Sequence, residues 1–174
     1  MAGHPAGRTS RQALTGCPLT AIGLGIGEQA PDFELPDHRG GKIRLSRLRG
    51  DSAVLLVFFP FAFTNVCTSE LVALGRRLET LHEHGVRVLA VSCDSPYALA
   101  AFAEREHVAI ELLSDFWPHG EVTRAYGLLL EDKGFAMRGS FLIDRDGRIA
   151  WSVVQGPADE RDADAYVEAL GTLS

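Results

Sequence analysis

Two stretches of the chain are apolar at nearly every position, and they anchor the reading of what lies between and after them. Residues 53–59 (Ala-Val-Leu-Leu-Val-Phe-Phe) sit between Asp51 and Pro60, and residues 86–92 follow Gly85. Short runs of this kind, rich in Val and Phe and closed by turn formers, predict strands covered on both faces. Between them the period changes. From Cys67 onward Leu71, Leu74 and Leu78 recur at i, i+3 and i+7, with Arg76, Arg77 and Glu79 on the other side. That pattern predicts one amphipathic helix stopped by Gly85. Asp94-Ser95-Pro96 introduces a second helix over residues 97–106, with proline near its first turn. Residues 110–113 are extended and 122–126 form a short helical stretch. Residues 140–144 and 148–154 flank Arg145-Asp146-Gly147 and predict a β-hairpin. Residues 161–173 close the chain as an amphipathic helix, and an earlier hairpin pairs residues 33–35 with 42–45 across Asp37-His38-Arg39-Gly40-Gly41. Parallel crossovers followed by an antiparallel pair give an α/β domain. The expected architecture is a thioredoxin-like fold: a mixed central sheet with helices on both faces and an N-terminal β-hairpin extension.

Composition narrows the class. At 174 residues, 46% apolar and 23% charged, the chain is long enough for one globular domain and too apolar for disorder. Seventeen Lys and Arg against 23 Asp and Glu leave a net charge of −6, with no basic cluster, which argues against nucleic acid and anionic membrane surfaces as partners. The first residues are rich in Gly, Ala, Pro, Ser, Thr and Arg; residues 1–23 are read as a flexible tail and 24–174 as the domain. Leu14-Thr15-Gly16-Cys17 has the look of a lipoprotein cleavage box, but polar residues 7–12 stand where an apolar segment would have to be. The longest apolar run, interrupted by Pro60, is too short to span a bilayer. Three cysteines, an odd and small number, argue against a disulfide scaffold and place the chain in the cytoplasm.

Position then separates the three thiols. Cys67 falls in the first turn of the predicted helix, at the first βα junction, where open α/β sheets place their chemistry. Unpaired backbone N–H groups and the positive end of the helix dipole favour an anionic sulfur there. The same position also suits a small core thiol with Thr64 as a helix cap, and position alone leaves both readings open. Cys93 ends a buried strand, where a structural thiol is the default. Cys17 lies on the tail. The histidines offer no ligand spacing, because His82 and His84 are i, i+2 on a helix and His119 suits a surface position. Asp144-Arg145-Asp146-Gly147 suggests a calcium loop superficially, but a hairpin turn accounts for it. No metal and no cofactor are expected.

Pro60, Thr64 and Cys67 form Pro-x-x-x-Thr-x-x-Cys directly after an apolar strand, and this resembles the peroxidatic signature of the peroxiredoxins. Ala30-Pro31-Asp32-Phe33, Ser114-Asp115-Phe116-Trp117-Pro118-His119-Gly120 and Arg138-Gly139-Ser140-Phe141-Leu142-Ile143-Asp144 extend the likeness over residues 27–173. The middle stretch is similar to the one-cysteine alkyl hydroperoxide reductase E group of actinobacteria. The resemblance implies a thiol-dependent peroxidase in which Cys67 attacks hydrogen peroxide or an organic hydroperoxide and becomes a sulfenic acid. It implies that Thr64, the backbone N–H groups of Val66 and Cys67, and Arg138 serve the reacting oxygens, and that Pro60 shields the sulfur. It implies that Glu70 and Arg161 support the arginines, although a solvated charge at a helix start is the alternative for Arg161. Phe61, Phe63 and Trp117 are expected at the pocket rim, or else over the core. The chain has no Cys-x-x-Cys and no cysteine after Cys93. An external thiol or redoxin is therefore expected to recycle Cys67, mycothiol with mycoredoxin if the source is actinobacterial. A homodimer packed near the active-site face, which could assemble further, is also implied. The rival reading is a redox-sensing or chaperone-like protein that signals through a mixed disulfide on Cys67.

Overall fold

The computed structural model describes residues 23–173. The expected tail, with Cys17, lies almost wholly outside them. A five-stranded sheet forms the centre, built from β3 (Ala53–Phe58), β4 (Val86–Ser92), β5 (Glu111–Ser114), β8 (Arg138–Ile143) and β9 (Ile149–Gln155), in the order β5-β4-β3-β8-β9. β3, β4 and β5 run parallel, while β8 is antiparallel to β3 and β9 to β8, so the sheet is mixed as expected. Every residue of β3 is buried, which is why its sequence is continuously apolar rather than alternating.

The two faces of β3 enter different cores. Leu55 and Val57 pack with Leu71 and Leu74 of α1 (Asn65–Gly75), Leu81 of α2 (Leu78–Glu83), Phe102 of α3 (Pro96–Glu106) and Tyr166 of α5 (Asp164–Ala169). Val54, Leu56 and Phe58 pack on the opposite side with Leu35 of β1 (Glu34–Pro36) and Tyr126, which closes α4 (Glu121–Ala125). β1 and β2 (Lys42–Arg44) make the N-terminal hairpin. Asp37 shapes its turn by accepting the N–H groups of Arg39 and Gly41 at 2.7 and 2.8 Å. The Asp144 carboxylate is used the same way, accepting the N–H groups of Asp146 and Arg148 inside the β8–β9 turn.

Three elements differ from expectation. The helix predicted to run from Cys67 to Gly85 starts earlier, at Asn65, and breaks into α1 and α2 at Arg76 and Arg77. Gly75 weakens the helix there, and the break lets Leu81 turn fully inward. The terminal helix begins at Asp164 rather than 161 and ends in a 3₁₀ turn over Leu170–Thr172. Arg161 is held elsewhere, as described below, so the chain cannot coil through it. A small hairpin of β6 (Leu129–Leu130) and β7 (Phe135–Ala136) was not expected, because two-residue strands carry no readable period.

Candidate active site

The junction from β3 to α1 crosses residues 59–64, and its geometry follows from a few bonds. Phe63 has a left-handed backbone, φ 65°, an uncommon conformation for a residue carrying a bulky side chain. Thr64 then takes the N-cap position, its side chain accepting the N–H of Cys67 at 3.4 Å, while its hydroxyl donates to the Phe61 carbonyl at 3.3 Å. The first i→i−4 bond of α1 is donated by Thr68 to Thr64. The N–H groups of Asn65, Val66 and Cys67 therefore precede the helical ladder, with the positive end of the dipole beside the sulfur. Thr64 thus bonds the backbone of Cys67, not the sulfur itself.

Arg138 comes from the first position of β8, on the far side of β3. Its Nη2 donates to the Cys67 sulfur at 3.2 Å, its Nη1 to Glu70 Oε2, and its Nε to the Pro157 carbonyl at 2.8 Å. The planar fork engages three groups at once, which a lysine ammonium could not match in geometry. Glu70, one turn after Cys67 on α1, also binds Arg161: Oε1 accepts the Arg161 N–H at 2.6 Å and Nε at 3.2 Å, and Oε2 accepts Nη2 at 3.2 Å. Arg161 Nη1 donates to the carbonyls of Phe58 and Gly139 and to Ser140 Oγ. Its side chain is 3% exposed, so the solvated alternative for Arg161 is overturned.

Charge explains what this cluster does to the thiol. Two guanidiniums and one carboxylate, all buried, leave one uncompensated positive charge. Burying ions is expensive unless they are paired and hydrogen-bonded. Arg138 touches the Cys67 sulfur directly, so the thiol faces the positive side of this set. Tyr166, whose hydroxyl meets Ser140 Oγ at 2.9 Å, closes the network behind Arg161; burial pushes its phenol pKa up, keeping it a neutral partner.

Beside Arg138 and the first turn of α1 lies a cleft of about 240 Å³ lined by Pro60, Phe61, Thr64, Asn65, Val66, Phe135, Arg138 and Pro157; Cys67 is buried next to these residues. A profile of the AhpC/TSA family matches residues 26–152 of the chain. The chain belongs to this family and is a peroxiredoxin. Alkyl hydroperoxide reductase E of Mycobacterium tuberculosis and of Mycobacterium bovis is 40% identical over 151 residues, spanning 87% of this chain and 99% of the relative. Among solved structures, the reduced 2-Cys peroxiredoxin of Plasmodium vivax superposes with a TM-score of 0.78 at 29% identity, over 84% of this chain and 80% of that one. Peroxidoxin BcpB of Mycobacterium tuberculosis superposes with a TM-score of 0.71 at 32% identity, over 84% and 94%. This peroxiredoxin is accordingly a thiol-dependent peroxidase, an oxidoreductase that acts on peroxides.

The structure gathers Pro60, Phe61, Thr64, Val66, Cys67, Glu70, Arg138 and Arg161 in one place. It does not gather Phe63 or Trp117. Phe63 faces away from the cleft, edge-on to Phe102 at 5.2 Å with the Arg105 guanidinium 5.7 Å over its ring. The left-handed backbone at Phe63 turns alternate side chains of this loop in different directions, so Phe61 and Phe63 separate. Trp117 is 80% exposed on the loop after β5 and lines no part of the cleft. Phe135, which the sequence reading did not single out, stands at the rim instead: on the β6–β7 hairpin, its ring lies 4.7 Å from that of Phe61. A short turn signal, Glu131-Asp132-Lys133-Gly134 with Gly134 at φ 73°, was present in the sequence and marks that hairpin. Among the described residues no helix is long and apolar enough to cross a membrane.

Proposed function

We propose that this peroxiredoxin works by a one-cysteine mechanism on Cys67, and the observation that carries it is the Arg138 guanidinium on the Cys67 sulfur at 3.2 Å within a buried, net-positive cluster. The Cys67 thiolate attacks the terminal oxygen of the hydroperoxide. The S–O bond forms as the O–O bond breaks, the sulfur is oxidised to a sulfenic acid, and the leaving alkoxide or hydroxide takes a proton and departs as alcohol or water. Negative charge moves along S···O–O, and the Arg138 fork and the first-turn N–H groups of α1 are donors aimed along that line. Thr64 caps that turn; its hydroxyl is close enough to exchange its carbonyl partner for a bound oxygen. Glu70 and Arg161 hold Arg138 in place, and Pro60 shields the sulfur.

The apolar rim of Phe61, Phe135 and Pro157 suits organic hydroperoxides alongside hydrogen peroxide. The sulfenic acid is released by an external thiol, which forms a mixed disulfide with loss of water; a second thiol then frees Cys67. Mycothiol with mycoredoxin is the proposed pair, given the mycobacterial relatives. A reducing cytoplasm fits this need for a small thiol. A homodimer packed near the active-site face fits the exposed aromatic side chains Phe61, Phe63, Tyr97, Phe116 and Trp117, which follow the ends of β3, β4 and β5. Light scattering of the reduced protein tests that assembly, and a monomer would refute it.

The chemistry is tested by intact mass after one equivalent of hydrogen peroxide, and of a long-chain hydroperoxide, on the wild type and on Cys67→Ser and Cys93→Ser. A single oxygen adduct is expected on the wild type and on Cys93→Ser, and none on Cys67→Ser. Loss of two hydrogens in place of the adduct would show an internal resolving partner and sink the one-cysteine reading.

A further inference from the structure

The Arg138 network fixes the sulfur from behind, but nothing in it fixes the loop in front that carries Pro60, Phe61 and Thr64. That loop contains the left-handed Phe63 and is exposed at Phe61, Phe63 and Thr64. Among the described residues its backbone has one side-chain anchor from another element. Ala62 donates its N–H to Asp94 Oδ2 at 2.9 Å. Asp94 lies between β4 and α3 and does not line the cleft.

Asp94 is itself held by bonds to the rigid sheet. Ser92 Oγ donates to the same Oδ2 at 2.8 Å and the Asp94 N–H returns to Ser92 Oγ at 3.2 Å. Ser114 Oγ donates to the Asp94 carbonyl at 2.6 Å, and the Asp115 N–H to the Ser92 carbonyl at 2.8 Å. Ser92 and Ser114 are fully buried in β4 and β5. A continuous chain of bonds therefore runs from β5 through Ser114, Asp94 and Ala62 to the Phe61 carbonyl and Thr64. Thr64 in turn caps the turn that holds Cys67.

We infer that Asp94 is a positioning residue for the peroxidase reaction. Its carboxylate clamps the 60–64 loop so that Thr64 and the first-turn N–H groups meet the peroxide oxygens in register with the Cys67 sulfur. This inference rests on the assignment of Cys67 as the reacting thiol. A charged acceptor on a backbone N–H is a strong, short bond, and small displacements of positioned donors cost rate steeply. Asparagine keeps a carbonyl oxygen in the same place, whereas alanine leaves the Ala62 N–H without its partner.

The experiment measures, for each variant, the second-order rate constant with hydrogen peroxide, the alkylation rate of Cys67 by iodoacetamide, and the melting temperature. Asp94→Ala is expected to slow peroxide reduction about tenfold while alkylation, which needs no oriented oxygen, changes by less than about threefold. Asp94→Asn is expected to stay within about twofold of the wild type on both. Asp144→Ala loosens a turn of comparable design at the other end of the sheet and is expected to lower the melting temperature without changing the peroxide rate. Ser92→Ala, which loosens the same carboxylate, is expected to show a smaller version of the Asp94→Ala pattern and carries the test should Asp94→Ala not fold. Wild-type peroxide rates in Asp94→Ala (or in Ser92→Ala, where that variant carries the test), equal slowing in Asp94→Ala and Asp94→Asn, or equal slowing in Asp144→Ala would each overturn the inference. Cys67→Ser run in parallel distinguishes the two levels. If it keeps the wild-type rate, the assignment of Cys67 falls and this inference with it; if it is inactive while Asp94→Ala is unaffected, only the role of Asp94 falls.

Discussion

Cys67 and Cys93 are both buried, and the one assigned the chemistry is the less exposed: 0% against 7%. Depth of burial alone does not separate the two; the sign of the charge that faces each sulfur differs. Cys67 sits at a helix start with a guanidinium on its sulfur. Cys93 has the Thr123 hydroxyl at 3.9 Å and the carboxylates of Asp115 and Asp94 nearby. Burial pushes the Cys93 thiol up to about 11, and the field of Asp115 pushes it the same way. Asp115 is itself raised by burial, although it accepts the N–H groups of Val122 and Thr123 and the Thr123 hydroxyl. Cys93, at the end of β4, is thus held as an uncharged thiol among carboxylates, whereas Cys67, in the first turn of α1, faces a guanidinium.

The largest way to break this contrast is to remove the shared carboxylate. Glu70→Gln removes the one carboxylate that both buried guanidiniums share, and it is expected to cost about 3–5 kcal/mol of unfolding free energy in urea titrations. A loss below about 1 kcal/mol would mean that solvent reaches the cluster and the charge argument fails. Next comes Arg138→Lys, which keeps the positive charge and removes the fork. Peroxide reduction is expected to fall about 10²–10³-fold in stopped-flow measurements. Retained activity would show that charge alone, without oriented donors, is enough. The smallest effect concerns Cys93. Between the ordinary thiol range and about pH 11 the unfolded chain has released this proton while the folded chain keeps it. The folded state binds more protons across that window, so its stability falls as pH rises. Cys93→Ala is expected to flatten that decline without changing peroxide turnover, read as urea midpoints at about pH 8 and about pH 10.5. An unchanged slope would assign the alkaline loss to other groups.

Much of this was legible in the chain because the relevant signals are local. The continuous apolar run of β3, the Asp-Gly turn after Ile143 and the spacing of Pro60, Thr64 and Cys67 each lie within a few residues. What stayed hidden depends on distance. The local pattern around Arg161 reads as a helix start, and only the family resemblance pairs it with Glu70; recruitment by that carboxylate, 91 residues earlier, shortens the helix. Phe63 and Phe61 look equivalent in the sequence; one backbone angle sends them to different faces. Asp94 gave only a turn signal before α3, because its partner Ala62 offers a backbone N–H, and backbone groups leave no mark in a sequence.

The separation of Glu70 from its partners, 68 residues to Arg138 and 91 to Arg161, also governs when the site can exist. A chain that has folded only its first βαβ unit must either keep Glu70 in water or dock α1 with a bare carboxylate, and the second is strongly disfavoured. Long-range closures of this kind form late in folding. The thiol should therefore acquire its peroxide reactivity only in the last cooperative step, so that a half-made chain carries an ordinary cysteine. Refolding from urea with pulses of hydrogen peroxide and iodoacetamide measures this: selectivity for peroxide at Cys67 is expected to rise together with the final native signal, and an earlier rise would refute that order of events.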